Sequence, residues 1–566
     1  MGIYTERKTG AWFVAAVLAG AFAALYGVWL FVGPELMSSE VIYAAAASEL
    51  SPKKPLVMTI HGWATPECMP LLPVAARLLR GLTGAPMESV LRGWSILMLA
   101  AGSVLVCLAA GSRTSARAGV VAAAMYFSCF LSLGTAVEGT HATGSAFFLA
   151  AAQLVFFYYA VRRSDWNRAW IFSALLATLG FLSGGFVVLL FFVLPMFFFR
   201  RPLSVSSKFR RPGFAAAVAI VLLAALAWCG AFSSAERPIP VYDMWWRQLS
   251  EAGLEWRMLT FPFGVIFWLL PWSLIAWLPF CEAMRSTDKT PIYSRYLRTL
   301  ALTSLGLLWL LPETGRFGLF YALAPLSVLT GRFYELGMRR YGVKLRRLFV
   351  VVEAFMGAAV LVIAAGCFLP SEWLARLFSV EHTLGFRRWT LFQLAIPAVL
   401  AASALLAYYV HRKRNDDPAW MILLAASVTS ALFFNGLMFP YKSQDRRKRE
   451  FGAQLREALR REQPDCKMIY SRNVRNLNGG LFYSGVRVSR LDEKEKFQVE
   501  EKTVYLLSKE NPGTFPQFSG FSRWENVENF EYNGHDLSLW RGTRPETAPD
   551  EKNKPNGKTE IKPGVK

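Results

Sequence analysis

Glu40 and Glu49 stand near the two ends of SSEVIYAAAASEL, residues 38–50, directly after the first apolar run. A carboxylate held beside a membrane can take a proton from an acceptor as a general base. Other stretches gather related groups. SPKKPLVMTIHGWATPECMP, residues 51–70, holds Lys53, Lys54, His61, Trp63 and Glu67. That set could hold a phosphate or a sugar, and Trp and Lys are also ordinary interfacial anchors. GTAVEGTHATGS, residues 134–145, holds Glu138, His141 and Ser145. His141 and Ser145 are four apart and share a helix face. A histidine at a helix start is also a common satisfied structural group. Glu313 and Arg316, in LLPETGRFGLFYALAPLSVL, lie at the mouth of an apolar span. Arginine offers a rigid planar fork that fits phosphate, and equally snorkels at an interface.

These groups need elements to position them. The chain has 566 residues, of which 54% are hydrophobic, with mean hydropathy +0.30. The apolar residues fall into runs of about 17–24, each long enough to cross a bilayer core of roughly 30 Å. The pattern predicts a polytopic α-helical membrane protein with about 13 transmembrane helices. Their expected limits are 11–32, 91–110, 118–134, 143–161, 169–182, 184–199, 213–232, 262–281, 298–311, 317–333, 348–369, 389–410 and 419–439. The run 11–32 exceeds a signal-peptide core and reads as a true span.

The net charge is +22. With the N-terminus inside, the basic groups at Arg7, Arg113, Arg162, Arg200, Arg210, Arg285, Arg339, Arg346 and Arg412 all fall on one side. The positive-inside rule accounts for them without a nucleic-acid partner. The seven cysteines form no CxxC and no short-spaced pair, and read as small buried hydrophobes.

An odd number of spans places the C-terminus outside. Residues 1–440 then form the transmembrane module. Its first outer loop, 33–90, carries helices over Val41–Leu50 and Leu71–Leu82 that lie at the interface. Residues 242–258 form a second amphipathic outer segment. Residues 441–545 read as a small extracytoplasmic α/β domain. Phe451, Leu455 and Leu459 line one helix face, and KMIYSR, VRVSRL and TVYLLSK read as strands. Residues 546–566 are rich in Pro, Lys, Glu and Asn, the composition of a disordered tail.

These segments, in this order, resemble the GT-C fold of glycosyltransferases that use lipid-linked sugars, above all bacterial aminoarabinose lipid A transferases and protein O-mannosyltransferases. The likeness covers nearly the whole chain. The family's Asp-Glu-x-x-Tyr-Ala run reads here as Ser39, Glu40, Tyr43 and Ala44, with Glu49 at its end. Its Glu and Gly, 17 residues apart, are Glu67 and Gly84. GTHATGSAFF is similar to its Gly-Thr-Tyr-Ala run, GFLSGGFVVLL to its Thr-Lys-Gly-Phe run, and RFGLFYALAPLSVL loosely to its Lys-x-x-x-Tyr-x-x-Pro region.

The resemblance implies an inverting enzyme in the bacterial inner membrane. It would move a sugar from undecaprenyl phosphate to an envelope lipid, glycan or protein. Such transfer needs a carboxylate near the acceptor and positive charge near the leaving phosphate. Glu40 and Glu138 become the candidate catalytic carboxylates. Tyr43, Lys53, Lys54, His61, His141, Ser145 and Arg316 become candidate substrate contacts, and Glu67 a candidate ligand for a divalent metal cation. The sequence departs from the family at Ser39 and Ser145, where it has Asp, at Cys68 and Gly184, where it has Lys, and at Gly253, where it has His. Two alternatives therefore stay open: a degenerate relative that binds a lipid-linked sugar without transferring it, and an envelope transport or assembly protein on the same scaffold.

Overall fold

The computed structural model describes residues 34–432 except 66–67, 200–204, 235–255, 289, 312–314, 369–390 and 414–418. It also describes scattered helical positions between 13 and 30, and most of 447–544 apart from short gaps. Glu67, Gly253, Glu313, the segment 242–255 and the tail from 545 lie outside the described residues. The chain divides into two compact units, Met1–Lys448 and Arg449–Lys566.

The first unit is helical. Met87–Gly111, His141–Arg162 and Pro212–Ser233 are each long and apolar enough to cross a membrane. Ala116–Ser128 with Phe130–Ala136, bent by 54°, and Leu259–Trp268 with Ser273–Phe280, bent by 112°, are two broken pairs that reach span length together. The apolar pattern fixes these positions closely: Trp166–Gly184 and Phe186–Phe197 fall where spans 169–182 and 184–199 are expected. Gly185 separates them at φ 80°, a conformation that glycine adopts without steric cost.

One expectation needs correction. Spans 317–333 and 348–369 belong to one unbroken helix, Phe320–Phe368. At about 1.5 Å per residue it far exceeds a bilayer, and Arg339, Arg340, Arg346 and Arg347 form a basic stretch within the helix where a loop was expected. Basic residues are good helix formers, so charge alone did not end the helix. In the helix after the first span, Ser38–Glu49, Glu40, Val41 and Ala44 to Ala47 are 0–3% exposed while Ser48 is exposed. On Leu71–Thr83, Leu72 and Ala76 are buried while Leu78 and Leu82 are exposed.

Close helix approach recurs at Gly331. A methyl group there would lie 2.3 Å from the Ala118 carbonyl and 2.8 Å from the Ala122 Cβ. Small residues at such crossings let membrane helices pack by direct van der Waals contact. Gly331→Ala is expected to destabilise the unit by about 1–3 kcal/mol, read as a lowered melting temperature in detergent.

The second unit holds a five-stranded sheet. β3 (Met468–Arg472), β4 (Arg487–Leu491) and β5 (Thr503–Ser508) correspond to the three strands that the sequence predicts. The helix Arg447–Glu462 packs Phe451, Leu455 and Leu459 on the sheet, as their spacing requires. Two longer strands, β6 (Arg523–Tyr532) and β7 (His535–Thr543), complete the order β4-β3-β5-β7-β6. The hairpin β6–β7 was not expected, because its charged residues hide the alternation of a half-buried strand. Arg541 faces Glu525 across it and binds its carboxylate. That bond holds the Glu525 carboxyl below its usual range.

Candidate active site

Glu40 and Arg92 form the innermost ion pair. Arg92 Nε lies 3.0 Å from Glu40 Oε1 and Nη2 lies 3.1 Å from Oε2. The Met37 and Gly139 amides donate to the same carboxylate at 2.7 and 2.8 Å. Arg92 also donates to the Pro34 carbonyl at 2.9 Å. Both side chains are at most 1% exposed. With its oxygens filled and no surface open to an acceptor, Glu40 is a structural anchor in this geometry. The expectation that it acts as base is corrected on that ground. Arg92 was missed by sequence reading, although an arginine inside a predicted apolar span is a signal in itself.

Glu49 has a matching task. β1 (Thr59–Ile60) and β2 (Trp63–Ala64) form a hairpin closed by His61 and Gly62, at φ 55° and 78°. Positive φ at both central residues is the geometry of a type I′ turn. The Glu49 carboxylate accepts the His61 and Gly62 amides at 2.8 and 3.3 Å. His61 is 6% exposed and belongs to this turn. Lys53 and Lys54 lie on an exposed turn, where Lys54 Nζ donates to the Ser234 carbonyl at 3.2 Å. The lysines stand on the exposed stretch 51–55, and His61 stands in the turn that Glu49 caps.

A second cluster does converge. The Gly139 amide that anchors Glu40 fixes the turn just after Glu138, and Ser95 Oγ donates to the Glu138 carbonyl at 2.7 Å. Glu138 then meets Arg316, whose Nη2 lies 2.6 and 2.7 Å from its two oxygens. The Arg316 guanidinium sits 5.4 Å from the Trp268 ring and 4.9 Å from the Phe317 ring. Its side chain is 35% exposed while that of Glu138 is 7% exposed. Both carboxylate bonds use Nη2, and the guanidinium, a planar fork of donors, keeps part of its surface exposed.

Beside this pair, Tyr43 hydroxyl and His141 Nδ1 are hydrogen-bonded, with ring centroids 5.6 Å apart. A tyrosine donating to Nδ1 leaves the ring proton on Nε2. Tyr43→Phe is expected to cost about 0.5–1.5 kcal/mol of stability, the worth of one neutral hydrogen bond, read as a lowered melting temperature in detergent.

Ser145 is fully buried. Its hydroxyl pairs with the Tyr321 hydroxyl at 3.2 Å. A Cβ added to Gly184 would lie 2.6 Å from the Ser145 Cβ. The positions where the resembled family carries Asp and Lys are therefore in contact here. The two departures form one neutral contact and leave no unpaired charge behind. Among the described residues no three His, Cys, Asp or Glu side chains gather as metal ligands. Glu40, Glu138 and His141 each have protein partners, and Glu67, the expected metal ligand, lies outside the described residues.

The sequence profile of the dolichyl-phosphate-mannose-protein mannosyltransferase family matches residues 65–229. The fold is similar to that of ArnT from Cupriavidus metallidurans bound to undecaprenyl phosphate, with TM-score 0.67 and 14% identity over 93% of this chain and 97% of that one. The apo state of the same protein aligns with TM-score 0.64, again at 14% identity and with the same coverage of both chains. A search of curated proteins finds no match. The GT-C-type fold implied by the sequence resemblance is thus the fold of this chain.

Proposed function

We propose that this GT-C-type chain is a membrane glycosyltransferase that moves a sugar from a polyprenyl-phosphate donor to an envelope acceptor. The observation that carries the reading is the half-exposed Arg316 bound to the buried Glu138, on a fold shared with a protein solved with undecaprenyl phosphate bound. Arg316 would take the donor phosphate on Nε and Nη1. Glu138 would act as the base on the acceptor's side, across the anomeric carbon from the phosphate that Arg316 holds. The acceptor oxygen or nitrogen attacks the anomeric carbon and its proton passes to Glu138. The bond from that carbon to the phosphate oxygen breaks, and its electron pair leaves on the phosphate. A single displacement of this kind inverts the anomeric centre. Tyr43 and His141 would position sugar or acceptor hydroxyls.

This reading places the Glu138 end of the bundle on the extracytoplasmic face of the bacterial inner membrane. The N-terminus would then be cytoplasmic and the Arg449–Lys566 unit extracytoplasmic, where it would select the acceptor. A second reading, binding of a lipid-linked sugar without transfer, is favoured by the neutral Ser145–Gly184 contact. The decisive experiment is to delete the gene and profile envelope glycans and polyprenyl-phosphate sugars by mass spectrometry. Transfer predicts loss of one sugar from an acceptor and accumulation of its donor, with both restored by the wild type and not by Arg316→Ala. Unchanged pools would sink it.

A further inference from the structure

The far end of the bundle carries a second cluster, distinct from the Glu138 site. Arg92 and Arg113 stand 21 residues apart along and just beyond Met87–Gly111, which separates them by about 30 Å at helical rise. Arg113 lies 4.8 Å from the Phe157 ring and 4.5 Å from the Tyr293 ring. Arg332 lies 4.8 Å from the same Tyr293 ring. Arg298, on Pro291–Leu310, stacks 5.1 Å from Phe333 and donates to the Pro279 carbonyl at 2.8 Å.

One carboxylate serves this group. Asp288 Oδ1 lies 3.5 Å from Arg332 Nη2, and its Oδ2 lies 3.9 Å from Arg298 Nη2. The side chains of Asp288 and Arg332 are only 4% and 5% exposed. Arg332 spends Nη2 on Thr290, while its Nε and Nη1 are buried without an acceptor, as is Arg298 Nη2. Arg298 and Arg332 share the Asp288 carboxylate, and Arg113 adds positive charge near Arg332, in a desolvated place where donors without acceptors are costly. Arg162, Arg285 and Arg295 add positive potential nearby. An anion with several oxygens would satisfy these donors. Asp288 Oδ2, 3.9 Å from Arg298 Nη2, makes no hydrogen bond, so a hydroxyl on the anion would complete it.

We infer that Arg113, Arg298, Arg332 and Asp288 form a second anion site, which takes a phosphate group bearing a hydroxyl. Two sources share that chemistry: free inorganic phosphate and a phosphatidylglycerol headgroup. Neither requires the transfer activity, so the site stands or falls independently of the proposed function.

The test is thermal melting of the full-length purified protein in a neutral detergent. Inorganic phosphate, phosphatidylglycerol, sulfate and phosphatidylcholine are titrated separately. The expected result is a saturable stabilisation by phosphate, by phosphatidylglycerol or by both, with little from sulfate or phosphatidylcholine. Stabilisation by phosphate alone identifies a soluble ligand, and by the lipid alone a headgroup. Arg332→Gln is expected to raise the half-saturating concentration at least about tenfold, since charge-assisted forked bonds are the strong ones. Asp288→Asn, which trades one acceptor oxygen for an NH2 donor and removes the negative charge, should admit sulfate. If Arg332→Gln does not fold, Arg332→Lys keeps the charge, loses the fork and should still bind several-fold more weakly. Equal melting of the wild type in all four ligands, or the same ligand response in wild type and a folded Arg332 variant, would overturn the site.

Discussion

Glu138→Gln is expected to reduce sugar transfer by about 10²–10⁴-fold, the usual contribution of a positioned general base, while the protein still folds. The amide keeps the shape of the carboxylate and one acceptor for Arg316, so the bundle end stays assembled. What it loses is the capacity to receive the acceptor's proton. Arg316→Ala should cause a comparable loss by a different route, because the leaving phosphate then has no cation. Arg316→Lys separates charge from geometry. A lysine cannot bridge Glu138 and a phosphate through separate nitrogens, so it should recover only part of the activity. The measurement is initial rate with a synthetic polyprenyl-phosphate sugar, beside a melting curve for each variant. Full activity in folded Glu138→Gln would remove Glu138 as base and favour the binding-only reading.

The second large effect is on folding. Arg92→Met strands the Glu40 carboxylate, which is 0% exposed, with only two amide donors. Breaking a buried ion pair by removing one partner costs about 3–5 kcal/mol, a large share of the roughly 5–15 kcal/mol that holds a domain of ordinary stability. The melting temperature and the yield of folded protein should both fall. Adding Glu40→Leu to Arg92→Met removes the stranded charge, so the double variant should be more stable than Arg92→Met alone. Glu40→Gln would also lose activity, but in proportion to the folded protein remaining. A folded, inactive Glu40→Gln would restore Glu40 to the chemistry.

That contrast marks how far the sequence could be read. Apolar run length places several helices of the first unit within a few residues, because a span must cover the bilayer, yet among the described residues only three helices, or five with the broken pairs, reach span length. It could not separate two spans from one continuous helix at Arg339–Arg347, where basic residues suit a helix as well as a loop. The pairing of Glu138 with Arg316, 178 positions apart, carries no local signal, although both residues were legible as candidates. The hairpin at His61–Gly62 was hidden for a different reason: its turn is stabilised by a distant carboxylate, Glu49, rather than by an Asn-Gly pair. Glu40 was misread because composition locates an acid near a membrane without telling whether its partners leave it any work.

Pro325 lies inside Phe320–Phe368, between Tyr321 and Gly331. A proline removes one backbone bond from the helix and weakens it at that turn. Beyond it, Gly331 is pressed so closely on Ala118 and Ala122 that the rod has no room to shift there. Mechanical compliance is thereby concentrated in the first turn, which bears Tyr321 and adjoins the short turn that carries Arg316. A distortion at that turn would therefore reach Tyr321 and Arg316 before it reached the close crossing at Gly331.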